Sequence, residues 1–323
     1  MSQEASIGSP LTLLLGCTAC GKTEVALELA RRLDAEILSV DSMQVYRRMD
    51  IGTAKPSPEE RAAVRHHLID VVEPGATFSV AEFVEMSDRA IAEISGRGGR
   101  VLAVSGTPLY LMGLMYGLFE GPSADAAFRA ALRARASDEG IAALHAELGK
   151  VDPAAAERIH PNDLKRIERA LEVWHATGRP LSEQQQQWSS ESLRYPAAIV
   201  GIRRDKDENS RRINVRVKGM IARGLMDEVR GLLAEPAGLG RQARQALGYA
   251  EIIGHLEGRM SLDEAVEQIK IGTRRLAKHQ RTWFRKFPQA KWVEVSAEDS
   301  VESIVQQLVG LVAEEMADVR NGR

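Results

Sequence analysis

Apolar runs alternate with helical segments along the first third of the chain. Leu11–Leu15, Ala35–Val40 and Val101–Val104 are short apolar runs of the kind that form buried strands, and Glu24–Ala30 has helical spacing. This alternation predicts an α/β fold in which helices flank a parallel sheet. Ile199–Ile202 predicts one further strand that returns to the same sheet.

The pattern changes after Met115, where short amphipathic segments rich in Ala, Arg and Glu follow one another. We therefore predict a helical insertion domain at residues 120–195. The α/β core would then comprise residues 1–119 and 196–323, and Val301–Met316 predicts a last amphipathic helix that packs on it.

A long helix with a strongly basic second half is predicted between Ser261, its N-cap, and about Lys286. Its apolar side is predicted to comprise Ile269, Leu276 and Trp283. A one-sided basic face favours contact with a phosphate backbone, and a merely solvated face is the alternative. The basic residues of this face, spaced for one side of a helix, are Arg274, Lys278, Arg281 and Arg285.

The first strand and the first helix enclose the pattern G-x-x-x-x-G-K-T, which in this context is typical of a phosphate-binding loop, or P-loop. The loop amides and the helix N-terminus would face an anion, with Lys22 as a point charge and the Thr23 hydroxyl as a Mg²⁺ ligand. The alternative is a Gly-rich turn that binds nothing. The predicted loop comprises Gly16, Cys17, Thr18, Ala19, Cys20, Gly21, Lys22 and Thr23.

Two further strands end in polar residues, Asp41 and Thr107. Ligands of open α/β sheets bind at the carboxyl ends of the strands, so both residues are predicted to lie near the loop. Asp41 would be a Mg²⁺ ligand or a general base, and a turn or cap aspartate is the alternative. The following segment, Arg47–Pro58, is predicted to be an exposed loop.

Net charge, cysteine content and the lengths of the apolar runs restrict the kinds of binding partner and the cellular compartment that we expect. A formal net charge of −2 gives no global sign of a nucleic-acid partner, so any RNA surface must be local. Cys17 and Cys20 are the only cysteines, and their C-x-x-C spacing is interpreted as small residues fitting a tight loop rather than a redox or metal site. Met1–Pro10 lacks signal-peptide features, and no apolar run approaches membrane-spanning length, so we expect a cytoplasmic, monomeric protein.

A P-loop and a strand-end aspartate also fit a kinase or nucleoside triphosphatase that binds ATP. Against this, no arginine-rich lid segment follows a second aspartate-bearing strand. Thr107 could contact a phosphate oxygen, and the basic helix is longer than a small-molecule kinase needs. Together these features favour group transfer from a phosphate-bearing donor to a nucleic acid.

A series of strings, in order along about residues 11–287, resembles the tRNA dimethylallyltransferases, also called tRNA isopentenyltransferases. The combination is highly specific, although each fragment alone is weak. The strings are Asp41–Tyr46, Met49–Pro56, His66–Asp70, Phe78–Phe83, Gly106–Tyr110, Ile159–Asp163, Arg166–Val173, Leu247–Tyr249, Thr273–Arg274, Ala277–Lys278 and Trp283–Arg285.

The resemblance implies transfer of the dimethylallyl group from dimethylallyl diphosphate to N6 of an adenosine beside the tRNA anticodon, with release of diphosphate. The P-loop would then hold the donor diphosphate rather than ATP, with Mg²⁺ on Thr23. Asp41 would take the N6 proton, and Lys22, Thr107 and Arg216, or its neighbour Arg212, would assist departure of the diphosphate.

The resemblance also implies contacts with the anticodon stem-loop of tRNA, in part through the insertion. The adenine would be flipped out of its stack, with residues beside Asp41 reading its edge. The implied tRNA-binding residues are Asp41, Ser42, Met43, Gln44, Thr107, Arg129, Lys165, Arg166, Ile167, Glu168, Arg169, Arg244, Gln245, Ala246, Leu247, Gly248, Tyr249, Arg274, Lys278 and Arg281.

The chain departs from the family pattern around the loop and the third strand end. Cys17 and Cys20 stand where Pro and Ser or Ala are usual, and Ser105 and Pro108 replace glycines beside Thr107. Three other functions remain open: prenyl transfer to a free adenine nucleotide, a P-loop kinase, and an RNA-binding protein that has lost catalysis.

Overall fold

The computed structural model describes residues 10–119, 121–184, 188 and 193–320. It contains two compact units, one formed by Met1–Met115 with Leu193–Arg323 and the other by Tyr116–Ser192. The first unit is an α/β core and the second is entirely helical where it is described. The boundaries predicted at 119/120 and 195/196 lie a few residues after those of the structure.

The core unit is built on a six-stranded sheet in the order β3-β2-β4-β1-β5-β6, with every described pair parallel. Leu11, Leu13, Leu14 and Leu15 have no exposed surface, because the central strand is covered on both faces. The strands are β1 (Leu11–Leu15), β2 (Ala35–Val40), β3 (His66–His67), β4 (Arg100–Ser105), β5 (Ala197–Arg204) and β6 (Lys291–Val295).

Helices connect and cover the strands of this unit. None of the described helices has the length and apolarity needed to cross a membrane. The helices are α1 (Lys22–Leu33), α2 (Pro58–Ala63), α3 (Val80–Gly96), α4 (Pro108–Tyr116), α10 (Lys206–Ala222), α11 (Leu225–Ala234), α12 (Arg241–Arg244), α13 (Tyr249–Leu256), α14 (Leu262–Phe284) and α15 (Val301–Arg320).

The insertion unit has its own apolar core, in which Leu144, Leu148 and Ile167 have no exposed surface. Asp163 caps its longest helix by accepting a hydrogen bond from the Arg166 N–H, and Gly178 ends that helix in a left-handed conformation at φ 66°. Its helices are α5 (Ala126–Asp138), α6 (Ile141–Val151), α7 (Pro153–Arg158), α8 (Leu164–Thr177) and α9 (Leu181–Gln184).

Two expectations about the core unit are corrected. The segment Arg47–Pro58 is not an exposed loop: Met49 is fully buried, and the ammonium of Lys55 donates to Asp50 and Asp70, each at 2.6 Å. Strands β3 and β6 were not predicted, because β3 has only two residues and β6 alternates buried and exposed positions at the sheet edge.

Candidate active site

The P-loop joins β1 to α1 through backbone conformations that few residues adopt. Ala19 has φ 63° and Gly21 has φ 101°, both in the left-handed region. A Cβ on Gly16 would lie 2.8 Å from Cys20 Sγ and 3.1 Å from the Lys22 side chain, so glycine is required there. The curled backbone and the N-terminus of α1 form a concave set of N–H groups suited to an anion.

Lys22 lies over this loop rather than extending into solvent. Its Nζ donates to the carbonyl oxygens of Gly16 at 2.5 Å and Cys17 at 3.2 Å. The neighbouring Thr23 is exposed at the first turn of α1. A hydroxyl there, beside a bound diphosphate, fits a Mg²⁺ that takes its other ligands from phosphate and water. Among the described residues, no group of three or more His, Cys, Asp or Glu side chains is arranged to hold a metal ion.

Arginines from three elements converge on the loop, and we refer to them as the arginine cradle. Arg212 Nε donates to the Ala19 carbonyl at 3.0 Å, and Arg216 approaches the Thr18 hydroxyl at 3.4 Å. Sequence reasoning named Arg216 and Arg212 for this role but assigned Arg281 to tRNA and missed Arg204. The cradle comprises Arg204 of β5, Arg212 and Arg216 of α10, and Arg281 of α14.

Arg216 carries the least compensated charge of the cradle. Burial lowers the pKa of its guanidinium, and the negative charge of Asp41 acts in the opposite direction. A desolvated cation without an ion-pair partner is costly, and an anion bound on the loop would offset that cost.

Asp41 and Thr107 lie at the ends of adjacent strands, β2 and β4. Asp41 Oδ1 accepts hydrogen bonds from the N–H groups of Met43 at 2.8 Å and Gln44 at 3.2 Å, as in an Asx turn. Its Oδ2 faces Gly106, where a Cβ would approach to 2.7 Å. The carboxylate therefore has the predicted turn geometry on one oxygen while the other points toward the end of β4.

The Thr107 hydroxyl binds the backbone next to Asp41. It accepts the Ser42 N–H at 3.0 Å and donates to the Ser42 hydroxyl at 3.3 Å. Gln44 is held by Ser39, 2.9 Å from its Oε1. The strand ends are thus connected to each other by short polar contacts before any substrate binds.

Gln280 is the main site residue that sequence reasoning missed. Its Oε1 accepts the Thr18 N–H at 2.7 Å, and its Nε2 donates to the Gly106 carbonyl. The side chain is 3% exposed, so the P-loop is tied to the end of β4 inside the protein. The sequence does contain a signal for this role. Gln280 is a polar residue that shares the helical spacing of the buried residues of α14.

That signal was obscured because the buried side of α14 was wrongly predicted. Leu276 is 40% exposed and Trp283 is partly exposed, whereas Ile269 is buried as expected. The buried positions of α14 are Ala265, Ile269, Lys270, Thr273, Ala277, Gln280 and Phe284.

The predicted basic face of α14 divides into two kinds of residue. Arg274 donates to Asn214 Oδ1 at 2.5 Å, and Arg281 faces Cys17 Sγ at 3.8 Å. Lys278 and Arg285 are exposed. Only the second pair remains fully available to an external phosphate backbone.

Several residues predicted to bind tRNA in the insertion have internal roles. Arg129 Nη2 and Arg169 Nη1 donate to Glu172 at 2.7 Å and 2.6 Å. Ile167 has no exposed surface, and Glu168 is 4% exposed and paired with an arginine. The side chains of Ile167 and Glu168 are therefore not available for direct contact with RNA. Lys165 and Arg166 are exposed.

The segment 244–249 is likewise divided into exposed residues and residues buried in the core. Arg244 and Gln245 are exposed, whereas Ala246 and Gly248 are buried and Leu247 is partly buried. Tyr249 is fully buried and donates its hydroxyl to Glu228 Oε1 at 2.5 Å. Its ring fills the space beside Gly52, where a Cβ would come within 2.3 Å. The Tyr249 side chain packs in the core and is therefore not available for direct contact with RNA.

Comparison with known proteins places this geometry in a family. The model of the family described as IPP transferase matches residues 44–287, and that described as isopentenyl transferase matches residues 9–77. The chain belongs to the IPP transferase family. The resemblance inferred from the sequence strings is confirmed.

Members of this family with similar sequences are named tRNA dimethylallyltransferase. That of Geobacter sulfurreducens is 47% identical over 96% of this chain and 100% of the relative. That of Geobacter metallireducens is 49% identical over 91% of this chain and 96% of the relative.

Solved structures of the family share the fold. The tRNA isopentenylpyrophosphate transferase of Bacillus halodurans is 38% identical, covers 95% of this chain and 98% of its own, and has a TM-score of 0.68. A eukaryotic dimethylallyltransferase acting on tRNA has a TM-score of 0.81 over 97% of this chain and 80% of its own. At 23% identity that second likeness is one of fold alone.

Proposed function

We propose that this protein transfers the dimethylallyl group of dimethylallyl diphosphate to N6 of the adenosine adjacent to the anticodon of tRNA, releasing diphosphate. One observation carries the proposal: in a member of the IPP transferase family, an anion-binding loop lies within the arginine cradle, near a strand-end carboxylate.

The loop and the cradle would assist departure of the leaving group. As the allylic C–O bond breaks, negative charge accumulates on the diphosphate. Lys22 Nζ lies over the loop carbonyls and Arg216 lies beside Thr18, so both would donate to a diphosphate on the loop with little reorganisation. The Thr107 hydroxyl donates to Ser42 in this structure, and it would redirect that proton to assist the diphosphate at the end of β4.

Asp41 would act as the general base. The N6 lone pair of adenine is delocalised into the ring, so the amine becomes a good nucleophile only as its proton leaves. We assign proton removal to Asp41 Oδ2, because Oδ1 is occupied by two backbone N–H groups. The adenine must leave its stack to reach this oxygen.

We further propose Mg²⁺ as the cofactor, held by the Thr23 hydroxyl. When bound, it would neutralise part of the diphosphate charge. Thr23 would orient the ion, since its position in the first turn of α1 follows from the left-handed conformation of Gly21 at the N-cap.

The external surface for tRNA is assigned to exposed polar residues of the predicted set: Lys165, Arg166, Arg244, Gln245 and Lys278. Binding through such residues would be salt-dependent and would recognise the shape of the anticodon stem-loop. We propose that the protein acts as a monomer in the cytoplasm, where its tRNA substrate is found.

A competition between acceptors tests the function. Protein is incubated with labelled dimethylallyl diphosphate and Mg²⁺, and with unmodified tRNA, AMP, or ATP plus small acceptors. Label is expected in tRNA, at an adenosine beside the anticodon, and Asp41→Asn is expected to slow its transfer about 10²–10⁴-fold. Label in AMP alone, or ATP turnover without label transfer, would contradict the proposal.

A further inference from the structure

The P-loop contains both cysteines of the chain, Cys17 and Cys20. The Cys20 N–H donates to the Cys17 carbonyl at 3.3 Å, which closes a tight turn around Ala19. This turn brings two thiols together directly before α1. Both thiols are free and buried, as the sequence-based interpretation of small residues in a tight loop expects.

The two thiols contact each other and differ in character. The hydrogen bond that Cys20 donates, together with the charges of Lys22 and Arg281, outweighs burial and lowers the pKa of the Cys17 thiol to about 6. Burial raises the pKa of the Cys20 thiol. A C-x-x-C pair with a nucleophilic first thiol and a buried second one, at a helix N-terminus, has the features of a reactive dithiol.

We propose that Cys17 and Cys20 form a reversible covalent modification site at which a hydroperoxide produces a disulfide and thereby weakens binding of diphosphate to the P-loop. This site goes beyond the proposed prenyl transfer, and only its effect on the donor depends on that function.

The chemistry balances with one peroxide per site. The Cys17 thiolate attacks the terminal peroxide oxygen, the O–O bond breaks, and Cys17 becomes a sulfenic acid as alkoxide leaves, or as hydroxide when the oxidant is hydrogen peroxide. The Cys20 sulfur then attacks the Cys17 sulfur, and the oxygen departs as water after the Cys20 proton is transferred. Two sulfur atoms have lost two electrons in total, and a dithiol reductant returns them by exchange.

The disulfide would change the loop at the diphosphate site. Cys20 Sγ packs against Gly16, and Cys17 Sγ faces Arg281, so bonding the sulfurs must move at least one of them. The loop carbonyls that hold Lys22 belong to Gly16 and Cys17, and their displacement would shift the lysine as well. Cys17 is 4% exposed and Cys20 is 1% exposed, so Cys17 is the more accessible of the two to a small oxidant.

The test compares the reduced and peroxide-treated full-length protein. Intact mass and peptide mapping without reductant report the disulfide, and calorimetry reports binding of inorganic diphosphate. We expect one internal disulfide and at least about tenfold weaker binding, both reversed by dithiothreitol. The rate of disulfide formation should rise with pH and level off below the ordinary thiol pKa, because the Cys17 thiolate is the nucleophile.

Cys17→Ser and Cys20→Ser are the matched variants, each compared with itself before and after peroxide. Neither should form a disulfide or show dithiothreitol-reversible loss of diphosphate binding. Disulfide formation with unchanged diphosphate affinity, or absence of the disulfide after peroxide treatment, would overturn the inference. These readouts need no prenyl transfer, so a failure of the proposed function would leave them interpretable.

Discussion

Arginines in the two units of this protein have opposite environments. In the insertion, Arg129 and Arg133 each form two hydrogen bonds with a nearly buried glutamate, and Arg169 shares Glu172. In the cradle, Arg204 pairs with Glu208, but Arg212, Arg216 and Arg281 form no ion pair within the described residues. Their polar partners are a carbonyl, a hydroxyl and a thiol.

This difference in ion pairing distinguishes arginines with a structural role from arginines with a binding role. A paired guanidinium contributes to the stability of the helices it joins, whereas an unpaired one retains positive charge for a ligand. The family resemblance had assigned Arg129 and Arg169 to tRNA alongside Arg281. Because their partners differ, we infer a structural role for the arginines of the insertion and a binding role for the unpaired arginines of the cradle.

The largest effect on activity is expected from substitution of Asp41, the strand-end acid of the candidate active site. Asp41→Asn should lower turnover about 10²–10⁴-fold, because the amide cannot accept the N6 proton, and should leave tRNA affinity nearly unchanged. Steady-state kinetics and tRNA binding would measure the two effects. Asp34→Asn, an exposed acid after α1, is the matched control. Equal loss of turnover and tRNA affinity would instead indicate that Asp41 positions the RNA.

Substitution of Glu172, the buried acid of the insertion, should lower stability rather than turnover. Glu172→Ala should lower the free energy of unfolding of the insertion by about 3–5 kcal/mol, because Arg129 and Arg169 lose a buried partner. Urea denaturation would measure it, with exposed Glu157→Ala as control. A loss of diphosphate affinity without loss of stability would contradict the distinction between the units.

The ion pairs of Glu172 also predict that the stability of the protein depends on pH. Burial raises the pKa of Glu172, but hydrogen bonds from Arg129, Arg169 and the Asp125 N–H outweigh it and lower that pKa below 4.5. A lowered pKa in the folded state stabilises the protein above 4.5, and this stabilisation is lost as pH falls through the folded value. Acid unfolding of wild type and Glu172→Gln should therefore converge at low pH, and a constant difference would contradict the assignment.

A smaller effect is expected from the connection between the loop and β4. Gln280→Leu should weaken diphosphate binding and turnover by about tenfold, because the Thr18 N–H loses its acceptor. Gln268→Leu, at an exposed position of the same helix, should have little effect. If Gln280→Leu lowers only the unfolding temperature and leaves the KM for the donor unchanged, Gln280 does not position the loop.

The smallest effect is expected on the outer face of α14. Lys278→Ala should weaken tRNA binding modestly and reduce the salt slope of that binding by about one. Lys291→Ala, on strand β6, is the control. An unchanged salt slope would show that Lys278 does not contact the phosphate backbone.

Sequence alone predicted the elements with strong local signals. The strands Leu11–Leu15 and Ala35–Val40 have the predicted bounds, since each is a short and largely apolar run. The P-loop, Asp41 and Thr107 were found because each follows a strand directly. Gln280 and Arg204 were missed, because their roles depend on contacts with residues 262 and 184 positions away in the chain.

Calorimetry with inorganic diphosphate tests the difference between the units most directly. Arg216→Ala, in the cradle, should weaken binding at least about tenfold, because it removes a desolvated cation that faces the loop. Arg133→Ala, in the insertion, should bind diphosphate as wild type does, because its charge is already paired with Glu168. Equal affinities in the two variants would contradict the account.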